Sequence, residues 1–357
     1  MDLRFLAPIY ERPAPYVSVY LDTGRATARA IQEVPLRWRA AKEELARQGV
    51  DGPLLGTMEE IVTDPGEAAP GRALFAADGK VVYSEALPAP PVRPIEHVGR
   101  APRVMPLLME RRERLPHVRV LVDREGADIA ATGRNPLTVD GQKWPVHQSG
   151  QGGWSQSAYG RSTENTWANN AELAAHTAER EAEKAGAELI VLGGDVQARR
   201  MVLEGLGPKW FDRTVEVYEG SRAAGADLSV WENAVEETVR AWAERRLRER
   251  LDGFGKHPVE GFQPVAAALQ RGQVDTLLVN GEPEGELWIG DEGQMIAATE
   301  EEARTLGFTN PQAVPAGDAL VRAVVASDAS LEFVPESERR FRDGVGVFLR
   351  FVIHAAQ

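Results

Sequence analysis

A long helical period whose inner face is almost entirely alanine constrains this chain more than any other feature. Trp167, Ala171, Ala174, Ala178, Ala182 and Ala185 recur three or four residues apart, and Gly186 supplies a C-terminal stop. Alanine side chains let a helix axis approach closely whatever lies beneath it. The material for that underlying layer stands on both sides in sequence. VRVLVD and ADIAATG, joined around Arg124-Glu125-Gly126, read as a hairpin, and ELIVLGG (188–194) as a buried strand entering a helix near Val196. TVEVYEG (214–220) is a further strand. The block reads as an α/β layer with mixed strand pairing.

Similar alternation flanks it. Upstream, YVSVYLD (16–22) is a strand, followed by a helix over 26–48 that Pro35 is expected to bend or divide. A short helix over 54–62 leads to RALFAAD and KVVYSEA, a hairpin around Asp78-Gly79. LPAPPVRP (87–94) is too proline-rich for regular structure and is expected to be a strap closing the first block. A helix over 103–115 opens the middle block. Downstream, a helix over 230–251 carries Trp231, Val235, Val239 and Trp242 as one core stripe. A helix over 265–270, the strand VDTLLVN, a short WIG strand, a helix over 316–327 and the strands LEFVP and GVGVFLRF complete the pattern. At 357 residues more than one core is expected. The expectation is a three-domain α/β chain, each domain a mixed sheet packed with helices, over 1–100, 101–228 and 229–357.

Composition removes several chemistries. There is no cysteine, which excludes disulfides, thiolate nucleophiles and cysteine-ligated zinc. The histidines, His97, His117, His147, His176, His257 and His354, form no pair at helical spacing, so neither a metal nor a cofactor is expected. No apolar run reaches the roughly 18 residues of a membrane span, and MDLRFLAPIYERP lacks the apolar core of a secretory signal. A cytosolic protein with no membrane partner is expected. A net charge of -13 opposes phosphate binding by the chain as a whole. Over 101–161, however, nine basic residues meet six acidic ones, and that local surplus is compatible with RNA contact.

The surplus ends in HQSGQGGWSQSAYGRSTENTW (147–167), which holds no aliphatic side chain larger than alanine and cannot build a core of its own. It is expected to be a presented loop. Gly150, Gly152 and Gly153 let the backbone approach another molecule closely. Gln156 offers an amide able to orient a water without deprotonating it. Trp154, Tyr159 and Arg161 can stack on nucleobases, and Arg161 can bridge a phosphate. Those seven residues form the candidate RNA-binding set. No Walker loop or HExxH motif is present, and Gly153-Trp154-Ser155-Gln156-Ser157 lacks the closing glycine of a nucleophile elbow. The Gly150–Gly153 run lacks the strand–turn–helix context and downstream acid of a dinucleotide site.

The glycine- and glutamine-bearing loop between hairpin and long helix, then LIVLGGDVQARRMV, FQPVAAALQRGQVDTLLVN and ALVRAVVASDASLEFVPESERRFRDGVGVFLRF, resembles in order and spacing the archaeal and eukaryotic class-I peptide-chain release factor and Pelota superfamily. The resemblance covers roughly residues 115–352 and implies release-factor/Pelota-like middle and C-terminal domains. It also implies binding in the ribosomal A site, against 23S and 16S rRNA, and a translational GTPase partner. For bacterial members acting in ribosome hibernation that partner is elongation factor Tu. The first block has no counterpart of the superfamily's stop-codon-reading motifs, so a non-decoding factor is implied. Release factors of this superfamily carry contiguous Gly-Gly-Gln, whereas here Gly152-Gly153 is followed by Trp154-Ser155 and then Gln156. The loop is therefore expected either to plug the peptidyl-transferase centre or to serve peptidyl-tRNA hydrolysis through Gln156 as its catalytic residue. A stand-alone α/β scaffold for protein partners is the reading outside the ribosome.

Overall fold

A computed structural model of the chain describes residues 1–112, 115–141, 156–223, 225–253 and 259–350. After the four-residue helix α1 (Ala7–Tyr10), strand β1 (Tyr16–Asp22) leads to helices α2 (Ala28–Arg47) and α3 (Gly52–Thr63). Strands β2 (Gly71–Ala77), β3 (Lys80–Leu87) and β4 (Ile95–Gly99) complete an antiparallel sheet of order β3-β2-β1-β4. Alternation along β1 divides its side chains between two cores. Val17, Val19 and Leu21 face α2 and α3, where they meet Val34, Trp38, Leu45, Met58 and Val62. Tyr16 and Tyr20 face the opposite way, with Phe75. The turn between β2 and β3 places Asp78 and Gly79 at positive φ, as a tight hairpin turn requires. Pro35 lies inside α2 without dividing it. It is exposed, so the carbonyl it leaves without a helical donor can be hydrated, and the buried stripe of Val34, Trp38, Ala41 and Leu45 holds the helix through. The edge strand β4 was not expected; the proline-rich strap joins it to β3.

Helix α4 (Met105–Arg112) follows, then β5 (His117–Val122), β6 (Gly126–Ala131), β7 (Leu137–Asp140), α5 (Gln156–Ala185), β8 (Leu189–Gly194), α6 (Val196–Gly205), α7 (Pro208–Phe211), β9 (Thr214–Glu216) and α8 (Leu228–Asp252). The remaining elements are β10 (Val259–Glu260), α9 (Phe262–Gln270), β11 (Val274–Val279), β12 (Glu286–Ile289), β13 (Ile296–Ala297), α10 (Glu300–Thr305), β14 (Gln312–Pro315), α11 (Ala316–Ala326), β15 (Ser330–Phe333) and β16 (Val345–Leu349). They form a four-stranded sheet of order β10-β16-β11-β15 and a three-stranded sheet of order β13-β12-β14.

The chain divides into two compact units, one made of Met1–Glu113 with Gly253–Gln357, the other of Arg114–Asp252. In the first, one apolar cluster joins Leu3, Leu6, Ile9, Tyr20 and Phe75 to Leu269, Leu277, Leu320 and Val347. The outer blocks of the sequence thus share a core. Helix α4 joins the first unit, where the buried Asp318 of α11 accepts from the Val104 and Met105 amides at 3.1 and 3.3 Å. These are amides that the start of a helix leaves unsatisfied. Helix α8 joins the second unit through Trp231 and Val235. A division into three autonomous domains over 1–100, 101–228 and 229–357 stands as a separate proposal.

Candidate functional site

The second unit is built on the sheet β7-β6-β5-β8-β9, in which β5, β8 and β9 run parallel and β6 and β7 antiparallel. Both faces are covered. Val118, Val120, Val122, Ile129, Ile190 and Leu192 lie under Ala171, Ala174, Ala175, Ala178 and Ala182 of α5 and Ala198 and Val202 of α6. Leu121, Leu189, Val191 and Val217 point to the other face and meet Trp231 and Val235 of α8. The alanine face predicted for α5 is the one that packs. Of the Trp231–Trp242 stripe, Trp231 and Val235 are buried, with Val239 and Trp242 half-buried against the same cluster. Gly193 accommodates the Trp231 ring, which a Cβ there would overlap, and Gly194 takes φ +111° beside the Val122 carbonyl. The two glycines of LIVLGG thus have separate packing causes.

Residues 142–155 lie outside the described residues, and two ends of one frame flank them in sequence. On one side the Gly141 amide donates to the Glu125 carbonyl at 2.7 Å. A Cβ on Gly141 would run into the amide of Asn170, which is buried on α5 and donates to the Arg124 carbonyl at 3.2 Å. On the other side α5 begins at Gln156. The Arg124 guanidinium lies over the Trp167 ring, 4.6 Å from its centroid, and 3.8 Å from Asp195. Arg222 ties the stretch after β9 to the hairpin by contacts of 2.6 Å to Asp123 and 3.0 Å to Asp128. Lys184 and Arg134 donate hydrogen bonds that hold the Glu181 carboxyl below its ordinary range, and burial lowers His117.

Of the candidate RNA-binding residues, Gly150, Gly152, Gly153 and Trp154 lie outside the described residues. Gln156, Tyr159 and Arg161 are placed by their backbone within α5. A loop running on to Trp167 is therefore corrected: the helix reaches back to Gln156. The stretch 156–166 has little apolar periodicity of its own, but extending a helix already nucleated by its alanine face needs no new nucleus. Among the described residues no three histidine or acidic side chains are gathered to hold a metal ion.

Sequence reasoning missed a groove of about 580 Å³ beyond the carboxyl ends of β5, β8 and β9. Arg124 follows β5, Asp195, Arg199 and Arg200 follow β8, and Glu216 and Tyr218 follow from β9. TVEVYEG had been expected to stay a strand to Gly220; it ends at Glu216, which leaves Tyr218 exposed. The parallel strand order is the signal that points to this edge of a sheet. Here and at Trp167 of α5, the described side chains offer ring faces and guanidinium donors, groups suited to recognising bases and phosphates.

Residues 116–258, which take in β5–β9 and α5–α8, match the model of the family described as Bacterial archaeo-eukaryotic release factor family 2. Over its length the chain is similar to the Mycobacterium tuberculosis protein Rv2629 of strain ATCC 25618 / H37Rv, described as uncharacterized. The two are 28% identical over 353 residues, covering 94% of this chain and 93% of that protein. Among solved structures, the archaeal translation termination factor aRF1 matches at 18% identity over 98% of this chain and 96% of its own, with a TM-score of 0.25. Dom34 of S. cerevisiae, a translation termination-like factor, matches at 10% identity over 80% of each chain, with a TM-score of 0.40.

Proposed function

We propose that this protein is a non-decoding factor of the ribosomal A site, acting in hibernation or stress protection in the cytoplasm in the manner of the ribosome hibernation factor Balon. The observation that carries the reading is the family match over 116–258, which takes in the hairpin, the Gly/Gln-bearing segment, α5 and β8 as one run. In this reading the segment from Gly150 to Arg161 enters the peptidyl-transferase centre against 23S rRNA. The first unit meets 16S rRNA and a translational GTPase, elongation factor Tu among the candidates. The plug is preferred to hydrolysis because Trp154 and Ser155 separate Gln156 from the glycine pair. Each extended residue spans about 3.3 Å, enough to carry a side chain away from an ester.

Cosedimentation with 70S ribosomes at near-physiological salt, with and without elongation factor Tu, tests the class. Binding to vacant or stalled ribosomes is expected, and its absence in both conditions overturns the reading. Peptidyl-tRNA release by wild type and Gln156→Ala then separates plug from hydrolase. The plug requires both to release peptide equally slowly. Selective loss of release in the variant, with binding intact, would instead assign transition-state positioning to the glutamine.

A further inference from the structure

The groove beyond β5, β8 and β9 carries a feature that structural packing alone leaves unsatisfied. Arg199 is 1% exposed; its Nη1 lies 3.5 Å from Glu216, and its Nε–H, in the wall of the groove, has no hydrogen-bond partner among the described residues. Its Nη1 donates to the Val217 carbonyl at 2.9 Å, and its guanidinium lies 4.6 Å from the Tyr218 ring centroid. That ring is 81% exposed, held against a buried cation on one face and open on the other. An aromatic side chain left so exposed while its backing is fixed is a stacking platform. Arg124 and Arg200 stand on the rim.

The start of α6 is not the anion site, because the Asp195 carboxylate already accepts from the Gln197 and Ala198 amides. A phosphate therefore falls to the rim arginines, and a planar group to Tyr218. The groove's volume is in the range that holds one such unit.

We propose that this groove binds a nucleotide unit, its base stacked on Tyr218 and its phosphate held by Arg124 and Arg200. The unit is one residue of an RNA strand or a free mononucleotide. The choice of RNA as the first source rests on the ribosomal reading above.

The test uses the full chain with two probes, a fluorescein-labelled ten-nucleotide oligoribonucleotide followed by anisotropy, and AMP or GMP as competitor. Tyr218→Ala is expected to weaken oligonucleotide binding about ten- to hundredfold, the loss of one stacked base, while Tyr218→Phe retains it. Arg124→Ala is expected to lower the salt slope by about one phosphate contact. Competition by millimolar AMP or GMP supports the mononucleotide source, and binding without competition supports the strand. The proposal is overturned if wild type binds neither probe, or if Tyr218→Ala, folded by its melting temperature, binds both as wild type does. Ribosome cosedimentation with failure on both probes removes the groove and leaves the A-site reading standing. Probe binding lost in Tyr218→Ala, without ribosome cosedimentation, does the reverse.

Discussion

Asp318 gives the first unit a stability that should depend on pH in a direction opposite to most carboxylates. Its side chain is fully buried, with Oδ1 accepting from two backbone amides at the start of α4 and Oδ2 2.9 Å from Arg103 Nη1. Burial wins over these partners and raises the carboxyl from 3.8 to about 7. The folded protein therefore holds this proton more tightly than the unfolded chain. The resulting stabilisation is complete below the unfolded value, declines as pH rises, and is gone above the folded value. Between pH 5 and 7 the decline is about 2 kcal/mol, at most about 1.4 kcal/mol per pH unit. Asp318→Asn keeps an acceptor for the α4 amides and removes the titration, while Glu282, 3.0 Å from Arg103, still pairs with the arginine. Urea denaturation of wild type and variant at pH 5, 6, 7 and 8 isolates the effect as a difference. The variant should gain on wild type by about 2 kcal/mol over that interval. Parallel stability curves would refute the burial argument and assign Asp318 as an ordinary ionised partner of Arg103.

Three further outcomes test other parts of the account. Trp154→Ala should weaken ribosome binding about ten- to hundredfold through one lost stack, and Arg161→Ala should flatten its salt dependence by about one phosphate contact. Both should leave the melting temperature unchanged, and a large thermal shift with unchanged affinity of the folded fraction would move Trp154 into the core. Gly193→Ala should destabilise the protein by about 1–3 kcal/mol by forcing a methyl group into the Trp231 ring, as read from thermal unfolding. Limited proteolysis tests the domain boundaries: a resistant fragment spanning about 114–252 supports the two units, whereas cuts near 100 and 228 would support the three-domain division.

What the sequence disclosed and what it withheld differ by the range of the interactions involved. The alanine face of α5, the alternation in β1 and the Asp78-Gly79 turn are local patterns, each complete within a few residues, and each is found in place. Strands β4 and β7 are short: β4 is half-buried throughout, and β7 carries only Val139 as a partly buried residue, so neither has the apolar alternation that marks a strand. The fate of α4 was decided by a carboxylate more than two hundred residues away in sequence, which no local signal announces. The candidate site divides in the same way. The Gly/Gln-bearing segment was visible as a break in patterning, but the groove needed the parallel register of β5, β8 and β9 to bring Arg124, Arg199 and Tyr218 together.

The first unit closes across an interval of time as well as of sequence. Residues 1–113 are synthesised before the whole of 114–252, and only then do Leu269, Leu277, Leu320 and Val347 arrive to cover Leu3, Ile9, Tyr20 and Phe75. At about 5–20 residues per second the N-terminal sheet waits on the order of ten to thirty seconds with one face finished and the other bare. The second unit can mature within that wait, since its core draws on residues 114–252 alone. A message broken anywhere after residue 252 and before β16 would thus yield a chain with a complete second unit and an adhesive, unfinished first one. Such a product would leave the apolar face of Leu3, Ile9, Tyr20 and Phe75 uncovered, the kind of surface that chaperones and proteases act on.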